Sequence, residues 1–136
     1  MSTPQLSPYL NFAGNCKQAM EFYNEIFGGK LELSTFEDSH APCPDDWKEK
    51  IIHASLLCES MSFMASDSMP HGTVVFGDSV HLSIAGNDLE TISAYFEKLS
   101  VGGKVDMPLA KQFWGDTFGM LTDKFGIHWM VNISAK

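Results

Sequence analysis

The sequence is poor in positive charge and in cysteine, and it lacks any long hydrophobic run. Nine lysine and arginine residues stand against 17 aspartate and glutamate residues, which gives a formal net charge of -8. Basic residues form no cluster, so we expect no nucleic-acid partner, whose phosphates would require one. No apolar stretch approaches the roughly 20 residues of a membrane helix, and no membrane partner is expected. The simplest reason for the acidity is solubility.

The three cysteines, Cys16, Cys43 and Cys58, are odd in number and far apart. No C-x-x-C pair suggests a redox or zinc motif, and we expect all three to be reduced. The first ten residues have neither the basic nor the apolar region of a signal peptide, so a cytoplasmic protein is predicted. With 136 residues, 44% of them hydrophobic, the chain is long enough for one stable domain.

What the sequence does contain is an internal repeat. Residues 10–15 (LNFAGN) correspond to residues 82–87 (LSIAGN), and each segment is followed by a helical pattern that ends at Gly-Gly-Lys, at 28–30 and at 102–104. Chance recurrence of two common motifs is the alternative explanation. The shared order, spacing and capping pattern favour a duplicated module.

Each helix is predicted to begin at an asparagine and to end at a glycine pair. Asn15 and Asn87 are the predicted N-caps, and Gln18 and Glu90 would complete the capping boxes. The glycines would supply the left-handed C-terminal cap. The offset between the halves is 72 at the asparagines (87 minus 15) and 74 at the first glycine (102 minus 28), so the second helix is expected to be slightly longer.

After each helix the hydrophobic pattern changes to period two, which indicates strands. The predicted strands are 7–12, 30–36, 50–58 and 61–66, then 79–85, 104–107, 117–122 and 127–133. The predicted fold is α+β: two βαβββ modules, 5–67 and 79–134, joined by a linker at 68–78. We expect one domain with a curved mixed sheet, the helices outside and a central groove. In five strands apolar residues alternate with polar ones, and the apolar face should lie under the helices.

The opposite sheet face is polar but almost uncharged. It carries Ser, His, Asn, Met and Tyr, a mixture typical of a partly enclosed ligand groove. A weakly solvated face or a dimer contact is the alternative. The side chains predicted to bind a substrate are Tyr9, Asn11, Met64, Trp114, His128 and Met130.

Three residues are candidates for acid–base chemistry. His53 and His81 lie on the polar face, and histidine is the side chain that titrates naturally near neutral pH. Asp116 follows Trp114-Gly115 at a predicted bend, where it could orient a ligand or act as a base. Each has a structural alternative: a histidine bonded to a serine or to the backbone, or an aspartate bonded within its own turn.

Several segments resemble the PhnB-like branch of the glyoxalase/bleomycin-resistance (vicinal oxygen chelate) superfamily. They are 8–15 (PYLNFAGN), 19–23 (AMEFY), 26–29 (IFGG), 52–54 (IHA), 63–67 (FMASD), 113–116 (FWGD) and 123–130 (DKFGIHWM), which together span nearly the whole chain. The resemblance implies paired βαβββ modules, commonly a homodimer, and a small-molecule ligand. The superfamily includes lyases, extradiol dioxygenases, thiol transferases and metal-free drug-binding resistance proteins.

The wider superfamily holds a divalent metal with His and Glu from four strands. Matched strand to strand, those positions fall near Ser7, Met64, Ser79 and Met130, and these residue types do not normally bind hard or borderline cations. A register error of two residues would bring in Tyr9 and His81, but no glutamate. We therefore expect no metal and no other cofactor.

Whether the protein is an enzyme stays open at this point. The first interpretation is a metal-independent protein that binds, or acts on, a small molecule. The alternative is a metal-dependent lyase or dioxygenase that uses His53, His81 and another group. The methyltransferase label sometimes attached to this branch has no support, because the sequence has no glycine-rich strand-to-helix loop of the nucleotide-binding kind.

Overall fold

The computed structural model describes residues 4, 6–59, 61–67 and 74–135. Residue 5 and most of the predicted linker (68–73) lie outside this part of the chain. The helices and strands, in chain order, are β1 (Tyr9–Phe12), α1 (Cys16–Phe27), β2 (Lys30–Thr35), β3 (Ile51–Leu57), β4 (Ser62–Asp67), β5 (Leu82–Gly86), α2 (Leu89–Ser100), β6 (Lys104–Lys111), β7 (Thr117–Thr122) and β8 (His128–Ile133), with one 3-10 turn at Asp45–Trp47. Neither α1 nor α2 is long and apolar enough to cross a membrane.

The chain divides into two compact units, Met1–Val75 and Phe76–Lys136, which we call the first and second modules. The first contains a four-stranded sheet in the order β1-β4-β3-β2, and the second contains one in the order β5-β8-β7-β6. In each sheet the first strand runs parallel to the last strand of the module, and the other pairs are antiparallel. The predicted α+β class, with one βαβββ unit in each half, is confirmed.

In the first module, α1 packs on the apolar face of its sheet. Tyr23 of α1 meets Phe63 of β4 edge to face, with 5.8 Å between the ring centroids. The fully or nearly buried side chains of this core include Phe12, Cys16, Ala19, Met20, Tyr23, Ile26, Ala54, Leu56, Phe63 and Ala65. Their burial supplies most of the free energy that holds the helix to the sheet.

The second module repeats this packing with a smaller buried helix face. Ile92, Phe96 and Leu99 are the buried residues of α2, and they share the core with Leu121, Trp129, Val131 and Ile133. Gly119 makes room for Phe96, because a Cβ at this position would lie 2.8 Å from the ring. Val80, an apolar residue of the predicted strand 79–85, is 71% exposed, because β5 begins only at Leu82.

The two helices are equally long, and the prediction of a longer second helix is wrong. Each has 12 residues. The two additional residues of the second module lie outside the helix: Asp88 precedes α2, and Val101 separates its last residue from Gly102. Repeat spacing alone could not distinguish a longer helix from longer turns.

The predicted asparagine caps are confirmed only in part: Asn15 is the N-cap residue of α1, but neither helix is capped by an asparagine side chain as predicted. The Asn15 side chain makes no capping hydrogen bond. Instead, Asp67 at the end of β4 accepts hydrogen bonds from the backbone N–H groups of Gly14 and Cys16, both at 2.9 Å. In the second module the N-cap is Asp88 rather than Asn87, and its carboxylate accepts from the N–H of Thr91 at 3.1 Å. Carboxylates at these positions also complement the helix dipole.

Two strands depart from simple alternation. A register shift between Ser34 and Thr35 brings Ile51 opposite Thr35, and Ile51 is buried whereas Ile52 is only half-buried. Strand β6 runs to Lys111 and has two irregularities. It is an edge strand, which is where a proline such as Pro108 can be accommodated within a sheet.

Candidate functional site

The polar face of the first sheet brings together four of the predicted site residues. Met64 pairs with Tyr9 across the parallel β1–β4 contact and with Ser55 on its other side. The Tyr9 hydroxyl is hydrogen-bonded to Nδ1 of His53, at 3.3 Å, and the ring centroids are 6.0 Å apart. Asn11, also exposed on β1, pairs with Ser66. The first module therefore presents a phenol, an imidazole and a thioether on one face.

In the second module, His81 and His128 form the corresponding cross-strand pair. The parallel register sets Leu82 opposite Trp129, so the preceding residues are neighbours. Their ring centroids are 5.1 Å apart, with an angle of 33° between the ring planes. His81 makes no hydrogen bond to any residue that the structure describes. Its ring nitrogens are thus available to a bound molecule.

His128, in contrast, is held at both ring nitrogens. Nδ1 lies 2.9 Å from the Thr122 hydroxyl oxygen, and Nε2 lies 2.9 Å from the carbonyl oxygen of Gly77. The Thr122 hydroxyl donates to Oδ2 of Asp106 at 2.7 Å. The orientation of the His128 ring is therefore fixed by β7, by β6 and by the segment that precedes β5.

Asp106 reaches this chain of hydrogen bonds because of an irregularity in β6. Val105 pairs with Leu121, and Met107 pairs with Met120, so Asp106 is the additional residue of a β-bulge. Bulges redirect a side chain and are frequent beside binding sites. Sequence reasoning missed both Asp106 and Thr122. The only signal was that the alternation failed after residue 107.

These residues line a cleft of about 640 Å³ at one end of the second sheet. Its walls include the Gly102–Lys104 turn, the Asp123–Gly126 turn and Asp78. The buried carboxylate of Asp123 accepts from the backbone N–H groups of Phe125 and Ile127 and from the indole N–H of Trp129. The cleft lies within a single module and combines two imidazoles with lysine and aspartate side chains.

The predicted group at Trp114 and Asp116 lies at the other end of the same sheet. It forms the β6–β7 turn, in which Gly115 has φ of 101°. Asp116 accepts a hydrogen bond from the side chain of Asn132 at 2.9 Å, and Trp114 packs edge to face on Phe118. Because Thr117 and Thr122 are opposite ends of β7, roughly 17 Å of strand separates Asp116 from the histidine pair.

The superfamily's metal positions do not hold a suitable donor set. Met130 pairs with Ser83 and Met120, not with Ser79, while Ser7 and Ser79 lie outside the strands. The side chains that do meet beside these positions are Tyr9 with Met64, and His81 with His128. In the described parts of the chain, no group of three or more His, Cys, Asp or Glu side chains is arranged to hold a metal ion. The residues present do not fit the superfamily's His and Glu set.

A larger cleft, about 850 Å³, lies in the first module beside the N-terminus of α1. Its central polar groups already have partners within the chain. Lys50 Nζ donates to the carbonyl of Gly14 at 3.0 Å, and Asp67 accepts a third backbone hydrogen bond from Ile51. Despite its size, we interpret this cleft as part of the scaffold of the first module.

Cys16 adjoins that scaffold and is not a nucleophile. Burial, and secondly the negative charge of Asp67, raise the pKa of its thiol to about 12. A reactive cysteine needs the opposite, an exposed and electropositive setting. Cys16 therefore belongs to the packing of α1.

Comparison with known proteins places the chain in a family. The model of the 3-demethylubiquinone-9 3-methyltransferase family matches residues 4–132. Protein YjdN of Escherichia coli K12 is 34% identical over 139 residues, which cover 94% of each chain. Protein PA1353 of Pseudomonas aeruginosa has 39% identity and a TM-score of 0.85 over 97% of this chain and 98% of its own.

Two further structures connect the family to the fold. The PhnB protein of Bacillus cereus, which carries the same methyltransferase description, has 27% identity and a TM-score of 0.79 over 96% of this chain and all of its own. A glyoxalase-related enzyme of Fulvimarina pelagi, 13% identical with a TM-score of 0.64 over 97% of this chain and 89% of its own, shares the fold alone. The chain therefore belongs to the PhnB-like family described as 3-demethylubiquinone-9 3-methyltransferases, and it has the glyoxalase-type fold of the vicinal oxygen chelate superfamily.

Proposed function

We propose that this chain binds a small polar molecule on the polar face of its second sheet, without a metal ion. The observation that supports the proposal most directly is the His81–His128 pair inside a cleft of about 640 Å³. Clefts of a few hundred cubic ångströms with a few converging polar groups are typical of small-molecule sites. His81, which has no hydrogen bond to a described residue, is the proposed principal contact.

The donor chemistry supports metal independence. Zinc is generally held by three or four protein ligands, and harder cations prefer several oxygens. At the cross-strand positions each module offers two side chains: a phenol and a thioether in the first, and two imidazoles in the second. One imidazole of the second pair already has hydrogen-bond partners at both nitrogens.

The family's description names methyl transfer, but the structure at the N-termini of the two helices favours small-molecule binding without a nucleotide cofactor. Nucleotide cofactors are commonly held where a glycine-rich turn leads from a strand into a helix. Here the N-termini of α1 and α2 are occupied by the chain's own carboxylates, Asp67 and Asp88. We therefore do not extend the methyltransferase activity to this chain.

Chemical-shift mapping tests the binding proposal. The ¹⁵N-labelled protein would be titrated separately with propionate, inorganic phosphate, propionamide and phenol. At least one probe is expected to shift the resonances of His81, Thr122 and His128, and the effect should be lost in His81→Ala. His40→Ala, a change in an exposed loop, is the matched control. Shifts confined to other residues, or unchanged in His81→Ala, would contradict the proposal.

A metal screen tests the alternative, a lyase or dioxygenase that uses the groove histidines. Thermal unfolding would be followed with zinc, nickel, iron and manganese, together with metal analysis of freshly purified protein. We expect neither a stoichiometric metal nor a stabilisation that depends on His81. A metal-induced rise in Tm that disappears in His81→Ala would overturn metal independence and favour the alternative.

A further inference from the structure

Three methionine side chains form a row across the polar face of the second sheet. Met107 on β6 pairs with Met120 on β7, and Met120 pairs with Met130 on β8. Residues directly opposite each other on neighbouring strands share a face, with their Cβ atoms about 5 Å apart. The three thioethers, which we call the methionine row, therefore make one continuous apolar strip across three strands.

The methionine row does not belong to the core of the module. Leu121 and Trp129, which alternate with it along β7 and β8, are buried on the opposite face. Met107 is 40% exposed, and Met120 and Met130 are half-buried. Single exposed apolar side chains are ordinary, but contiguous ones are characteristic of binding surfaces. The row is thus an apolar surface that a bound molecule can reach.

The methionine row is continuous with the cleft that contains the histidine pair. Met120 lines this cleft together with His81. Ser83 pairs with Met130, so His81, two residues before Ser83, is the diagonal neighbour of Met130, at roughly 7–8 Å. A molecule that contacts His81 through a polar group can therefore place a directly attached ring on the row.

The chemistry of the row suits an uncharged ring. Ser83, at the β5 end, continues the row across the fourth strand, and none of these four side chains carries a charge. An apolar group can therefore lie on the row without removing water from a charge. Methionine is flexible enough to follow the shape of a ligand, and its sulfur interacts favourably with aromatic rings. A flat aromatic ring uses both properties.

We propose that the ligand of the second module is amphipathic: a small molecule whose polar group contacts His81 and whose aromatic ring lies on the methionine row. The inference rests on the proposed small-molecule function and adds the part of the ligand that His81 does not contact. Met120, which is both in the cleft and at the centre of the row, is the main apolar contact.

Three neutral amides separate the polar contact from the apolar one. Propionamide has a short chain on the amide, whereas benzamide has a flat ring and cyclohexanecarboxamide a puckered one. Benzamide is expected to bind about tenfold more tightly than propionamide, a difference of about 1.4 kcal/mol. It should bind about threefold more tightly than cyclohexanecarboxamide, because only the aromatic ring interacts favourably with sulfur. Equal affinities of benzamide and propionamide would overturn the inference, and a preference for cyclohexanecarboxamide would refute the aromatic class.

The place of the ring can be observed at the methionine methyl groups. In protein labelled with ¹³C at these methyls, the ring current of benzamide should shift the resonances of the row, most strongly at Met120. The methyl resonance of Met61, in the first module, should not move. Shifts of other methionines without a shift at Met120 would contradict the proposed position.

Two substitutions of Met120 separate apolar bulk from sulfur. Met120→Ala should lower the affinity for benzamide to near that for propionamide. Met120→Leu, which keeps the bulk but has no sulfur, should retain most of the affinity and lose the preference over cyclohexanecarboxamide. Met61→Ala is the matched control and should change neither. An unchanged affinity for benzamide in Met120→Ala would count against the row as the apolar contact.

A second copy of the chain is the alternative occupant of the row. In that case the methyl resonances would change on dilution of the free protein and would not respond to benzamide, and the inference would be refuted. The proposed binding function would survive that result if propionate, phosphate or propionamide still gave shifts that depend on His81. If none of the probes gives such shifts, both proposals fail.

Discussion

In the first module the N-terminus of α1 is closed by Asp67, a residue 51 positions beyond Cys16, whereas in the second the N-terminus of α2 is closed by the residue directly before it, Asp88. Asp67 is 2% exposed and also accepts from Ile51, so it joins β4, β3 and the helix. Asp88 is exposed, and among the described residues its side chain bonds only within its own turn. Equivalent helices packed on equivalent sheets can thus be capped at the N-terminus by a residue distant in sequence or by an adjacent one.

The two modules differ in the same way on their polar faces. Equivalent cross-strand positions hold Tyr9 and Met64 in one sheet and His81 and His128 in the other. The scaffold is repeated while the side chains that could contact a ligand are not. Duplication of a fold therefore gives two surfaces whose chemistry must be read separately.

Removing Asp67, which caps α1 from a distant strand, should cause the largest loss of stability. In Asp67→Ala, two buried backbone N–H groups and one part-buried N–H group lose their acceptor, at about 1–3 kcal/mol each, so the free energy of unfolding should fall by about 3 kcal/mol or more. Urea unfolding measures the change. A fall no greater than that of Asp88→Ala would show that the two caps are equivalent and remove the contrast.

The second glycine of each Gly-Gly pair should be sensitive to an added side chain in both modules. A Cβ on Gly29 would lie 2.4 Å from the carbonyl oxygen of Leu57, and one on Gly103 would lie 2.3 Å from that of Thr122. Gly29→Ala and Gly103→Ala should therefore each lower the free energy of unfolding by about 2 kcal/mol or more, and Gly29→Ala should cost more because Gly29 also has φ of 93°. Gly77→Ala, with nothing within 4 Å, is the control and should leave the urea midpoint nearly unchanged. A larger loss in Gly103→Ala than in Gly29→Ala would contradict this difference between the two sites.

Alkaline pH should destabilise the first module through Cys16. The folded pKa of Cys16 is about 12, above its unfolded value near 9, so the unfolded chain releases its proton first. The stabilisation is complete below about pH 9 and is lost as pH rises towards 12, by at most about 1.4 kcal/mol per pH unit. Cys16→Ala should flatten this decline in urea unfolding, and Cys43→Ala should not. An equally steep decline in Cys16→Ala would contradict the assignment.

Removing Asp88, which caps α2 from the adjacent position, should cause the smallest loss of stability. Asp88→Ala is expected to lower Tm only slightly at pH 7. Hydrogen bonding to Thr91 lowers the pKa of Asp88, so the stabilisation is present above the unfolded value near 4 and is lost as pH falls through the folded value. Thermal melts of wild type and variant should therefore converge at low pH. A difference that persists at pH 2 would mean that the cap acts by something other than its charge.

The sequence predicted the architecture because the relevant signals are local. Period-two alternation depends on neighbours along one strand, and it assigned Tyr9, His53, His81 and His128 to polar sheet faces. The Gly-Gly-Lys motifs marked the helix ends to within one residue: Gly28 follows α1 directly, whereas Val101 lies between α2 and Gly102. Both glycines have positive φ, 73° and 77°, which needs no distant partner. The order of elements followed from these two patterns.

Tertiary structure decided which side chains meet. Asp67 caps α1, and Asp106 reaches Thr122, only because strands far apart in sequence pair in a particular register and one of them contains a bulge. The parallel register also makes His81 the neighbour of His128 while β7 carries Asp116 to the opposite end of the sheet. Local periodicity fixes the face on which a side chain lies, but its partner depends on long-range pairing, which a single sequence does not encode in any short pattern.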